Sequence, residues 1–125
     1  MNILVVEDIP VNQLLLSKIL DKLGCNIETA PNGLEAAKHA QETAYDLIFI
    51  DCQMPVMDGY EATRTIRLAE TGTGHHSIIV ALTADAMTGD RDRCLKAGMD
   101  DYIGKPFKPE QIGSMIKKWH DKIKT

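Results

Sequence analysis

The chain has 125 residues, 44% hydrophobic and 26% charged, and carries a net charge of −4 from 14 basic and 18 acidic side chains. That size and balance suit one soluble domain with a single core, spanning residues 1–125, and the mild acidity excludes the basic stripe of a nucleic-acid-binding surface. No apolar run approaches the roughly 18 residues that cross a bilayer, and Met1 to Val6 is too short and lacks the basic flank of a secretory signal.

In chain order, Ile3 to Val6 is short, β-branched and apolar, and reads as a buried strand. Pro10 suits the first turn of a helix and Gly24 its end, with Val11, Leu14, Leu15, Leu16, Ile19, Leu20 and Leu23 at helical spacing between them. Asn26 to Ala30 is a weaker strand, and Gly33 to Thr43 a helix of modest patterning. Leu47 to Ile50 is a second strongly apolar run. Asp58, a plausible cap, and Gly59 open a helix through Leu68, and Thr71 to Gly74 is a loop. Ile78 to Leu82 is the third strong strand, followed by a helix from Asp85 to Ala97 that closes at Gly98. Tyr102 to Gly104 is a short strand, and Pro109 to Ile123 a last helix with Ile112, Met115, Ile116 and Trp119 on one face.

Five apolar strands thus alternate with five helices, which predicts an open, doubly wound α/β parallel sheet with helices on both faces. The three cysteines, Cys25, Cys52 and Cys94, are odd in number and widely spaced, and read as reduced thiols of a cytosolic protein.

Ligand sites in such sheets lie beyond the carboxyl ends of the strands. Glu7 and Asp8 follow the first strand, Asp51 the third, Thr83 the fourth and Lys105 the fifth. Each alone reads as a cap or a solvated loop residue. Together, three carboxylates at one edge repel one another, and a divalent cation with a lysine would neutralise them. Hard oxygen ligands with open positions suit Mg²⁺. Asp100, Asp101, His75 and His76 fall at the opposite edge, and His39 and His120 on helices, where solvated surface roles are expected.

The segments Val5-Val-Glu-Asp-Ile-Pro-Val-Asn-Gln13, Asp51-Cys-Gln-Met-Pro-Val-Met-Asp-Gly59 with Glu61-Ala-Thr-Arg64, Ala81-Leu-Thr-Ala-Asp-Ala86 and Ala97-Gly-Met-Asp-Asp-Tyr-Ile-Gly-Lys-Pro-Phe107 carry a family resemblance. The chain resembles the receiver domain of two-component response regulators over essentially its whole length, most of all the receivers of hybrid histidine kinases. The resemblance implies a flavodoxin-like sheet of order 2-1-3-4-5. It implies Asp51 as phosphoryl acceptor, and Glu7, Asp8, Asp51 and the backbone carbonyl of Gln53 as ligands of Mg²⁺, with Mn²⁺ as an alternative. It further implies Thr83 and Lys105 as groups that bind the incoming phosphoryl group, Tyr102 as an aromatic switch moving with Thr83, and Pro106 after a cis peptide. The implied partner is a histidine kinase or histidine phosphotransfer protein. The implied setting is the cytoplasm, free or as the cytoplasmic part of a membrane-bound hybrid kinase.

Two features depart from the pattern or vary within it. Ile9 stands where these receivers commonly carry a polar residue, and Gln53 and Asp85 occupy variable positions beside the phosphoryl site. An aspartate-dependent phosphohydrolase of the haloacid dehalogenase type would need an acid two positions after Asp51, where Gln53 stands. A degenerate, never phosphorylated binding module would not keep Glu7, Asp8, Asp51, Thr83 and Lys105 together, and no phosphate-binding P-loop sequence is present. At roughly 100° per residue, the apolar arc of the first helix runs from Leu14 through Val11 to Leu20 over about 240°, more than one sheet can cover. Either neighbouring loops and helices cover the excess, or its Val11–Leu14 end is a docking patch, where the family resemblance implies a helix bearing the donor histidine.

Overall fold

Each apolar run becomes a strand, and each strand returns through a helix. In the computed structural model, which describes residues 1–52, 54, 56–83 and 90–124, the order is β1 (Asn2–Val6), α1 (Pro10–Lys22), β2 (Asn26–Ala30), α2 (Gly33–Glu42), β3 (Leu47–Asp51), α3 (Gly59–Glu70), β4 (Ile78–Thr83), α4 (Asp90–Ala97), β5 (Asp101–Gly104) and α5 (Pro109–Lys124). Residues 84–89, where the sequence places the start of the fourth helix, lie outside the described residues.

Helix starts follow local chemistry. Asn32 caps α2 by accepting a hydrogen bond from the Glu35 N–H at 2.9 Å, and Asp58 caps α3 by accepting from the Glu61 N–H at 2.8 Å. Helix α1 differs: Pro10 occupies its first turn, but the residue at its N-cap is Ile9, which supplies no capping side chain. Gly24, at φ +80°, takes the left-handed conformation that ends this helix.

All strand pairs are parallel, and the sheet order is β2-β1-β3-β4-β5. Alternate residues face opposite layers. Leu4, Val6, Ile48, Ile50, Ile79 and Ala81 pack with Ala36, Ala62, Ile66 and Cys94 of α2, α3 and α4. Ile3, Val5, Leu47, Phe49, Val80 and Leu82 pack with Leu16, Leu20 and Ile112 of α1 and α5. Burying each large aliphatic side chain contributes about 1.5–3 kcal/mol, so both layers hold the sheet between them. The topology reverses between β1 and β3, which opens a crevice above their carboxyl ends.

Candidate metal and phosphoryl site

Glu7 is the first residue past β1. Its N–H donates to the Ala30 carbonyl at 3.1 Å, extending the β1–β2 pairing by one rung. The side chain turns into the crevice and is only 1% exposed. Oε1 accepts a hydrogen bond from the Ile9 N–H at 3.3 Å, whereas Oε2 is buried and accepts none.

Asp51 is the last residue of β3 and is 3% exposed. Because β1 and β3 are neighbours, one oxygen each from Glu7, Asp8 and Asp51 fall within 4.8 Å of one another. Lys105 follows β5 directly. Its N–H donates to the Thr83 carbonyl at 2.7 Å, and its peptide to Pro106 is cis. The side chain reaches back past β4, placing Nζ 2.7 Å from Asp51 Oδ2 and 3.5 Å from Glu7 Oε2.

The electrostatics follow from this crowding. Burial pushes the Glu7 carboxyl up to about 7, and the negative charge of Asp51 pushes the same way, while Lys105 and the Ile9 N–H oppose them. Lys105 has the reverse balance: burial would lower its pKa, but the hydrogen bond and charge of Asp51, with Glu7 behind, hold it above its ordinary value. One ammonium therefore faces three carboxylates. The buried Glu7 oxygen that accepts no hydrogen bond and the all-oxygen donor set fit a hard divalent cation.

Thr83 ends β4 at the same edge and is buried. Tyr102 lies half-buried in β5, opposite Ala81, and packs against the core layer that faces α2, α3 and α4. Gln53 and Asp85 lie outside the described residues. On α1, Leu16 and Leu20 are buried, whereas Val11 is 73% and Leu14 57% exposed. The excess apolar arc thus faces outward at the crevice end. Beside it, Asn12, Leu15, Pro106 and Phe107 line a groove that reaches Lys105.

Some neighbours were not legible from the chain alone. Cys52, directly after Asp51, and Cys94 on α4 are both buried with their sulfurs 3.9 Å apart, and burial together with this contact pushes the Cys52 thiol up. Gly59 closes the loop after Asp51: its N–H donates to the Cys52 carbonyl at 3.1 Å, and a methyl there would collide with the Asp51 carbonyl oxygen. Gln13 reaches back from α1, its Nε2 donating to the Glu7 carbonyl at 3.2 Å. It stands inside a segment that carries the family resemblance, which was the available signal.

The expectation for Asp100 and Asp101 needs correction. They sit at the far edge of the sheet, but neither is a solvated loop acid. Asp100 Oδ2 accepts from Arg67 at 2.6 Å and from the Ile79 N–H at 2.9 Å, while Asp101 Oδ2 accepts from Lys118 at 2.6 Å and from Trp119 Nε1 at 3.2 Å. His75 is likewise half-buried, with Nε2 2.9 Å from the Tyr45 carbonyl.

The fold is thus a doubly wound parallel sheet that gathers an acid cluster and a lysine at its switch point. Residues 3–117 match the response regulator receiver domain family, and the chain belongs to it. It is 40% identical over 118 residues to the sensor protein GacS of Pseudomonas syringae pv. syringae, covering 94% of this chain but 13% of that protein. It is 45% identical, with TM-score 0.85, to the crystal structure of the receiver domain of sensor histidine kinase PA1611 from Pseudomonas aeruginosa PAO1, which has a magnesium ion coordinated in its active-site cleft; 94% of this chain and 95% of that one are covered. It is 36% identical, with TM-score 0.89, to the receiver domain of Ssk1 from Saccharomyces cerevisiae, crystallised with the histidine phosphotransfer protein Ypd1; 95% of this chain and 88% of that one are covered. No helix among the described residues is long and apolar enough to cross a membrane.

Proposed function

We propose that residues 1–125 form a single receiver unit that takes a phosphoryl group from a phosphohistidine onto Asp51 and switches conformation in a cytoplasmic phosphorelay. The carrying observation is the convergence of Glu7, Asp8 and Lys105 on Asp51, with one buried Glu7 oxygen that accepts no hydrogen bond and has only the Lys105 ammonium near it, at 3.5 Å. A carboxylate oxygen of Asp51 attacks phosphorus, the N–P bond breaks, and the donor imidazole leaves neutral when its other ring nitrogen carries a proton. Lys105 offsets charge on the phosphoryl oxygens, and the Thr83 hydroxyl orients them. A bound Mg²⁺, with Mn²⁺ as alternative, would supply further charge neutralisation, held by Glu7, Asp8, Asp51 and the Gln53 carbonyl.

The added charge, roughly −1.5 to −2, draws Thr83 toward the new oxygens, and Tyr102 fills the space it leaves. The GacS, PA1611 and Ssk1 similarities support a histidine kinase or histidine phosphotransfer protein as donor. The exposed Val11–Leu14 patch and the groove leading to Lys105 are where its helix docks.

Acetyl phosphate with Mg²⁺ should add the mass of one phosphoryl group to the wild-type chain, mapped to Asp51, and Asp51→Asn should remove it. A mutant phosphorylated at the normal rate would falsify the assignment. No mass gain by the wild type would favour the unphosphorylated binding module instead.

A further inference from the structure

The two acids after β1 are joined by one peptide, and its orientation sets the angle at which their carboxylates converge. Glu7 ends on a carbonyl whose peptide partner is the Asp8 nitrogen, so a crankshaft rotation of that unit would swing Asp8 relative to Glu7. Three contacts resist it. The Glu7 N–H is tied to the Ala30 carbonyl at 3.1 Å, and the Ile9 N–H to Glu7 Oε1 at 3.3 Å. The Glu7 carbonyl itself is held by Gln13 Nε2 at 3.2 Å. A carbonyl only accepts, so the amide nitrogen of Gln13 must face it.

Gln13 grips the loop twice. Its backbone N–H donates to the Ile9 carbonyl at 3.0 Å, while its side chain reaches the carbonyl two residues earlier. This matters more here because Ile9 leaves α1 without a capping side chain. Among the described residues, no other side chain is seen to bond the backbone between Glu7 and Ile9 except the carboxylate of Glu7 itself.

We infer that Gln13 is a positioning residue for the Glu7–Asp8 pair, fixing their peptide so that both carboxylates are preset for a divalent cation. This rests on the reading of those acids as metal ligands. The side chain bonds the Glu7 backbone carbonyl and is not itself one of the acids of the cluster. Its loss leaves the loop to be ordered at the moment of binding, which costs affinity rather than the rate of the loaded site.

The test titrates Mg²⁺ calorimetrically into wild type and Gln13→Met, a neutral side chain of similar length without a donor. Gln13→Ala serves if the methionine variant fails to fold. The Mg²⁺ dissociation constant should rise about five- to tenfold, the gain expected from freeing roughly one residue of backbone. The phosphorylation rate at saturating Mg²⁺ should stay within about twofold, since the loaded geometry is unchanged. Backbone amide relaxation of the metal-free variant should show new motion at Asp8 and Ile9. An unchanged dissociation constant, or a slower saturated rate with affinity intact, overturns the inference. Absence of Mg²⁺ binding by the wild type would instead remove the metal reading beneath it.

Discussion

Lys105 Nζ lies 2.7 Å from Asp51 Oδ2, although their strands are separated by β4. The lysine spans that strand because its own N–H is anchored on the Thr83 carbonyl at 2.7 Å. On the proposed function, charge delivered this way would serve the phosphoryl oxygens more than the metal. Lys105→Ala should slow phosphorylation by acetyl phosphate about 10²-fold at saturating Mg²⁺, the order seen when one preorganised donor is lost. Mg²⁺ affinity, read by titration, should be retained or improved, since a competing cation has gone. Equal loss of both would sink the division of roles.

Asp8→Asn should do the opposite. It removes one charge from the oxygen cluster, so Mg²⁺ affinity falls first and phosphorylation at limiting metal falls with it. Raising Mg²⁺ should recover much of the rate. A rate deficit that metal cannot rescue would place Asp8 in the transfer chemistry instead.

Glu7 gives the site a pH signature of known sign. Its folded pKa, about 7, is raised above the ordinary 4.5. The folded, metal-free protein therefore keeps a proton that the unfolded chain releases. The stability this contributes is complete below pH 4.5 and is lost as pH rises through about 7. Thermal melts without metal should fall more steeply between about pH 4.5 and 7 for wild type than for Glu7→Gln. Mg²⁺ must displace the same proton, so its affinity should drop toward about tenfold per pH unit below 7, and this slope should vanish in the glutamine variant.

The exposed end of α1 predicts a donor-specific defect. Leu14 is 57% exposed and makes no part of either buried core layer, so Leu14→Ala should change stability by less than about 0.5 kcal/mol. Transfer from the cognate phosphohistidine protein should weaken several-fold, while phosphorylation by acetyl phosphate is spared. Parallel losses with both donors would mean the site had been damaged and would rule out docking there.

Arg67 is the control far from the chemistry. Its guanidinium donates to the Gly98 and Ser77 carbonyls and to Glu70 and Asp100, at 2.6 to 2.9 Å. Arg67→Ala removes the cation that neutralises two part-buried carboxylates, leaving Asp100 with the Ile79 N–H and Glu70 with the Ser77 N–H, and should cost about 2–4 kcal/mol in urea unfolding. The phosphorylation rate of the folded fraction should not change.

The strands were readable because β1, β3 and β4 are continuous apolar runs separated by helices, while their order came from the family resemblance and not from the pattern. The site was readable for the same reason: residues directly after a strand must share one edge. What escaped were partners chosen by long-range packing. Asp100 looks like a loop acid until Arg67, 33 residues away, folds onto it, and Asp101 depends on Lys118 and Trp119 of α5. Cys52 and Cys94 are 42 residues apart, and nothing in their spacing announces contact. The outward face of α1 was half legible: the arc was visibly too wide, but which edge the sheet would cover depended on the helix's rotation.

The absence of room between Gly59 and the Asp51 carbonyl has a mechanical consequence. Where two backbones touch with no side chain between them, neither can slide without carrying the other. The start of α3 is therefore bolted to β3, and a disturbance at Asp51 finds no slack on that side. On the other flank the thiols of Cys52 and Cys94 meet without a covalent tie. If Asp51 is phosphorylated as proposed, the strain should therefore pass toward α4 and not into α3.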